Sequence, residues 1–160
     1  MSQNLEAWAV TQGYDPDHDY TTSDGGVIIP DNMFSEHFSH AEFMCKCRNN
    51  SYGPLCNGWG GGTHTVMDPE LFPLLEKIRA HFGEAFNVNS GYRCPGHNAK
   101  QGGASKSLHM QGKAADIWSN HVSPAEVYAY ADSINPNGGV GKYNSFTHVD
   151  VRGYHSRWTG

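Results

Sequence analysis

Ser107-Leu-His109-Met-Gln-Gly112-Lys-Ala-Ala-Asp116 sets an imidazole and a carboxylate seven residues apart across a glycine. A second imidazole follows in Phe146-Thr-His148-Val-Asp150-Val-Arg152. Imidazole nitrogen and carboxylate oxygen are donors that suit zinc, and three protein ligands with one open position make a catalytic site. In an extended segment, residues two apart share a face. Thr147, Val149 and Val151 are therefore expected toward the core. His148, Asp150 and Arg152 fall in a row on the other face, neighbours about 7 Å apart. With His109 and Asp116 this row predicts a metal site accompanied by a further carboxylate, Asp150. That carboxylate is placed either to act as a base or to orient His148 through its second ring nitrogen.

Ten histidines in 160 residues mean that any two can look deliberate. His18, His37, His40, His64, His81, His97, His121 and His155 lie outside these patterns and are read as structural or exposed.

The elements that must position the site follow from local signals. Asp68-Pro69-Glu70 starts a helix, with an acidic cap and proline in the first turn. Leu71, Leu74, Leu75, Ile78 and Phe82 recur at helical spacing, and Gly83 ends the run. Pro73 is expected to push the true start a few residues later. Phe86 to Asn89 alternates as a strand and delivers the turn Ser90-Gly91-Tyr92-Arg93-Cys94-Pro95, which projects Arg93 from a strand end. Ala114 to Trp118 reads as a buried strand around Asp116, and Ser123-Pro-Ala-Glu126 as a capping box whose helix runs to about Ser133. Val140–Tyr143 and Phe146–Arg152 form two antiparallel strands joined at Asn144-Ser145. Few helices among short strands give an α+β class, a small antiparallel sheet with flanking helices. Residues 34–66 show little periodicity and are expected to be loops. Residues 1–33 are polar, an extension packed on the domain, with a short strand at Val27–Ile29 that Pro30 ends. Asp15, Asp17 and Asp19 hint at a calcium loop, but Tyr20 and Gly26 stand where that loop needs glycine and glutamate.

Composition narrows the class. The length gives one domain with a single modest core. A formal charge of −5 argues against nucleic acid as a partner. No run of about 18 apolar residues exists to span a membrane. The start has neither a basic nor an apolar signal region, so no signal peptide is expected. Cys45, Cys47, Cys56 and Cys94 leave three readings open: disulfides, a second metal, or buried thiols. The Cys45-x-Cys47 spacing is tighter than the usual zinc knuckle.

Taken together, Ser90-Gly-Tyr-Arg93, the Ser107–Asp116 motif, Gly138-Gly-Val-Gly-Lys-Tyr143 and His148-Val-Asp-Val-Arg152 carry a resemblance. Over residues 34–158 the chain resembles the zinc D-alanyl-D-alanine carboxypeptidase-like peptidases that cut peptidoglycan, whose fold is shared with the Hedgehog signalling domain. The resemblance implies a zinc peptidase domain over 34–160, with zinc held by His109, Asp116 and His148. It implies that Arg93 binds the substrate carboxylate or the oxyanion, with Tyr92 and Ser107 beside it at the substrate. Better-known branches place a Glu or Asp base three residues before the last histidine, where this chain has Ser145; Asp150 is nominated in its place. A monomer acting on peptidoglycan peptides at the cell wall is expected, such as a phage lysin held in the cytoplasm until lysis. The rival expectations are a zinc-containing binding or structural module without catalysis, and a metallohydrolase of another small amide.

Overall fold

In a computed structural model, the structure describes residues 33–47, 59, 67–103 and 106–160. The expected extension, its calcium-like run and Cys56 lie outside these residues. Five strands form one sheet: β1 (Asn87–Ser90), β2 (Ala114–Trp118), β3 (Gly139–Lys142), β4 (Thr147–Asp150) and β5 (Ser156–Thr159). Their order across the sheet is β1-β2-β4-β3-β5. Every pair is antiparallel except β3 with β5, which is parallel. The α+β expectation holds, with β5 as an addition: four residues of Ser-Arg-Trp-Thr are too short to declare a strand.

Helix α2 (Leu71–Phe82) buries Leu71, Phe72, Leu74, Leu75 and Ile78 in the hydrophobic core, and Gly83 closes it in the left-handed conformation at φ 64°. Each fully buried side chain of this size contributes about 1.5–3 kcal/mol of hydrophobic stabilisation. The helix starts at Leu71, two residues past Pro69: Glu70 and not Asp68 stands at the N-cap, with no side-chain cap bond, and Pro73 is compatible with that start. It occupies the third helical position, where the backbone N–H would have no intrahelical acceptor in any case. Helix α4 (Pro124–Ile134) begins at the expected capping box, with Ser123 and Glu126 each bonding the other's backbone N–H. Two short helices escaped the periodicity. α1 (His40–Phe43) lies in the stretch expected to be loop, where a Ser39–Glu42 capping box holds a single turn that buries Phe43. α3 (Pro95–Lys100) follows Arg93 directly, with Cys94 as its N-cap.

Candidate metal centre

Strand register builds half of the site. Asp116 on β2 pairs with His148 on β4, and both are buried. The face assignment made from alternation holds: Thr147 and Val149 are fully buried in the core layer, and Val151 packs against it. His148, Asp150 and Arg152 bond one another on the other face.

His109 arrives from the other direction, on a 3-10 turn over Leu108–Gln111. Ser107 caps this turn by accepting from the His109 backbone N–H at 3.3 Å, and Gly112 closes it at φ 70°. The Arg93 turn then clamps His109 in place: Arg93 N–H donates to the His109 carbonyl at 3.1 Å. His109 Nδ1 donates to the Gly91 carbonyl at 2.8 Å. Because a carbonyl only accepts, Nδ1 carries a proton, and Nε2 is the nitrogen turned toward Asp116, 3.3 Å from one of its oxygens.

His148 is oriented by the same logic. Its Nε2 donates to Asp150 at 2.7 Å, and its Nδ1 lies 3.0 Å from the other Asp116 oxygen. One donor atom from each of His109, Asp116 and His148 thus falls within 4.8 Å of the others. Burial opposes charge on Asp116, but the hydrogen bonds of His109 and His148 outweigh it and hold the carboxyl well below the usual carboxylate range. Burial likewise opposes charge on His148, yet contacts with Asp116 and Asp150 raise its pKa above the ordinary imidazole value. The pocket therefore favours positive charge between these groups. Two imidazole nitrogens, each fixed through its opposite nitrogen, and one ionised carboxylate are a donor set that fits zinc.

Asp150 lies behind His148. It is fully buried and does not line the cleft above the three donors. Its Oδ1 accepts from the Gly139 and Arg152 backbone N–H groups at 2.8 and 3.2 Å and from Arg152 Nε at 2.9 Å. Its Oδ2 accepts from His148 and from Arg152 Nη2, each at 2.7 Å. Burial would raise its pKa, but these partners outweigh that and hold it well below the carboxylate range. This position suits orienting His148. Ser145 sits exposed in the turn before β4.

The cleft has a volume of about 930 Å³. Arg93, Ser107, His109, Asp116 and His148 all line it. Arg93 reaches Asp116 at 3.3 Å, with Nε on Ser90 Oγ at 2.9 Å and Nη1 on Asn98 at 3.3 Å. Tyr92 corrects the expectation of a substrate contact. On a strand-end turn, consecutive side chains diverge; Arg93 takes the cleft while Tyr92, 7% exposed, packs in the core. Lys46, His97 and Trp158 line the cleft without having been singled out for it. His97, expected to be structural or exposed, is buried at the cleft wall. Trp158 lies over Gly141, where a Cβ would enter its ring, and its Nε1 donates to Tyr143 at 2.9 Å.

The family model for peptidase M15 matches residues 36–150. The chain belongs to the peptidase M15 family. This M15 chain is also similar to a zinc D-Ala-D-Ala carboxypeptidase of Streptomyces albus G, 30% identical over 120 residues, which cover 66% of this chain and 46% of that relative. The chain thus spans about half the length of that curated relative. Family and fold are therefore as the motifs implied, and the matched stretch contains Arg93, His109, Asp116, His148 and Asp150. Among the described residues no helix is long and apolar enough to cross a membrane.

Proposed function

We propose that this chain is a zinc-dependent peptidase that hydrolyses peptide bonds in peptidoglycan stem peptides or their cross-links, acting at the cell wall. The observation that carries this reading is the buried His109–Asp116–His148 cluster on the wall of an open cleft, with both imidazoles held through their opposite nitrogens. Zinc would be held by His109 Nε2, an Asp116 oxygen and His148 Nδ1. Bound there, zinc supplies Lewis-acid polarisation of the scissile carbonyl and activation of water.

The remaining chemistry belongs to the chain's own side chains. Lys46, Arg93, Lys106 and Arg152 line the cleft, and among its described lining residues Asp116 is the one carboxylate. A cleft so charged, in a chain of net charge −5, favours a substrate with a free carboxylate such as a peptide C-terminus. Arg93 is the group for that carboxylate or for the oxyanion that develops on the carbonyl, since its planar fork donates two parallel hydrogen bonds. Asp150 acts through His148, fixing the ring and its tautomer.

Mass spectrometry of muropeptides after digestion of purified peptidoglycan tests the reading. The zinc-loaded protein should release either single D-alanine or separated stem peptides, and His109→Ala should release neither. A second reading, a zinc-containing binding module without turnover, draws support from Ser145 and from a cleft with no carboxylate beyond Asp116 among its described residues. Zinc-loaded wild type that binds peptidoglycan and releases no product would favour that module over the peptidase.

A further inference from the structure

Three cysteines converge beside the Arg93 turn. Cys45, Cys47 and Cys94 are all buried, and their sulfurs lie within 4.8 Å of one another. No disulfide joins them. Cys45 and Cys47 follow α1, and Cys94 comes from a segment 49 residues beyond Cys45. The two segments are already held side by side by the Tyr92 N–H donating to the Phe43 carbonyl at 2.8 Å.

We propose that Cys45, Cys47 and Cys94 supply three of the four ligands of a second, structural zinc ion that ties the segment after α1 to the turn carrying Arg93. Geometry comes first. Zinc–sulfur bonds of about 2.3 Å in a tetrahedron place sulfurs about 3.8 Å apart. Three sulfurs within 4.8 Å reach that spacing by small side-chain rotations. The Cys45-x-Cys47 spacing, tight for a knuckle, is accommodated because the chain leaves α1 at Met44 in extended conformation, ψ 148°.

Hydrogen bonding adds a second argument. The Cys94 backbone N–H donates to Cys45 Sγ at 3.3 Å, and the His97 N–H donates to Cys94 Sγ at 3.5 Å. Backbone donors aimed at sulfur stabilise the thiolate form, which is the form that binds metal. Binding displaces the thiol protons to solvent. A disulfide within this cluster would join two sulfurs and leave the third buried beside it, whereas an all-thiolate donor set selects zinc. Cys56 lies outside the described residues and is not counted among these ligands.

The location gives the ion a task. Cys94 adjoins Arg93, and the same turn supplies the Gly91 carbonyl that holds His109. A cross-link here fixes the backbone from which both groups project, and closes a loop of 49 residues. The assignment does not depend on the peptidase reading, because its ligands are separate from the His109–Asp116–His148 cluster.

The full chain, purified with zinc under reducing conditions, tests it by metal analysis and cobalt substitution. Two zinc ions per chain are expected in wild type, one in His109→Ala, and one in Cys47→Ser or Cys94→Ser. Cobalt in His109→Ala should give thiolate-to-metal charge-transfer absorption, which needs no cysteine variant to fold. The proposal is overturned if His109→Ala binds no zinc and shows no such band. It is equally overturned if peptide mapping finds a Cys45–Cys94 disulfide in protein whose zinc is lost entirely in His109→Ala.

Discussion

Replacing Asp150 by asparagine separates two roles that a carboxylate beside His148 can play. The side chain takes five hydrogen bonds, three on Oδ1 and two on Oδ2. Asparagine can keep a carbonyl oxygen toward Gly139 and Arg152 Nε, but its amide then points donors at His148 Nε2–H and Arg152 Nη2. Donor facing donor drives the imidazole to its other tautomer, with the proton on Nδ1, the nitrogen that faces Asp116. Loss of such a partner to a ligating histidine costs about 10–100-fold in metal affinity. That range corresponds to about 1.4–2.7 kcal/mol. A lost general base would instead lower kcat by about 10²–10⁴ and leave zinc affinity alone. Competition with a chromophoric chelator, run beside hydrolysis at saturating zinc, reads both quantities. Asp150→Asn should bind zinc 10–100-fold more weakly, with much of its turnover restored by excess zinc. Wild-type zinc affinity with hydrolysis that excess zinc does not restore would refute the orienting role.

Other perturbations have equally definite outcomes. Arg93→Ala should keep its zinc and lose about 10²–10³ in kcat/KM, the cost of one donor to a developing oxyanion; unchanged kinetics would remove Arg93 from the site. Gly141→Ala drives a methyl group into the Trp158 ring, so a loss of about 1–3 kcal/mol is expected in thermal or urea denaturation; wild-type stability would contradict the packing described. Glu76 accepts from Ser35 Oγ, His37 N and His37 Nδ1 at 2.8, 3.0 and 2.7 Å. Burial would raise its pKa, but these bonds outweigh it and set the folded value below the ordinary 4.5. A depressed carboxyl pKa stabilises the fold above the unfolded value, and that stability is lost as pH falls through the folded one. Urea midpoints should therefore drop for Glu76→Gln by the equivalent of about 1.5–3 kcal/mol at neutral pH and converge with wild type in acid; a gap that persists in acid would show that Glu76 acts other than through its charge.

What was legible in the sequence depended on range. Period-two alternation in Thr147–Asp150 and the capping box at Ser123–Glu126 are local signals, and both led to elements that the fold contains. The pairing of Asp116 with His148 came from motif order and resemblance, since register between β2 and β4 is set by the whole sheet. Tyr92 was misplaced because the direction of a side chain on a turn depends on what packs beneath it, here the core around Phe43. Asp150 shared a face with His148 as alternation required, but a shared face does not say which side of the imidazole a carboxylate occupies. Gly139 decides that: with no Cβ, it lets Asp150 fold back onto its backbone N–H, where a larger residue would meet the carboxylate. α1, α3 and β5 are each too short to show a period, and tertiary contacts define them.

Anomalous diffraction at the zinc absorption edge, from crystals grown with zinc, tests the central claim most directly. A peak is predicted at about 2.0–2.2 Å from His109 Nε2, His148 Nδ1 and an Asp116 oxygen. A map with no peak among these three groups would contradict it.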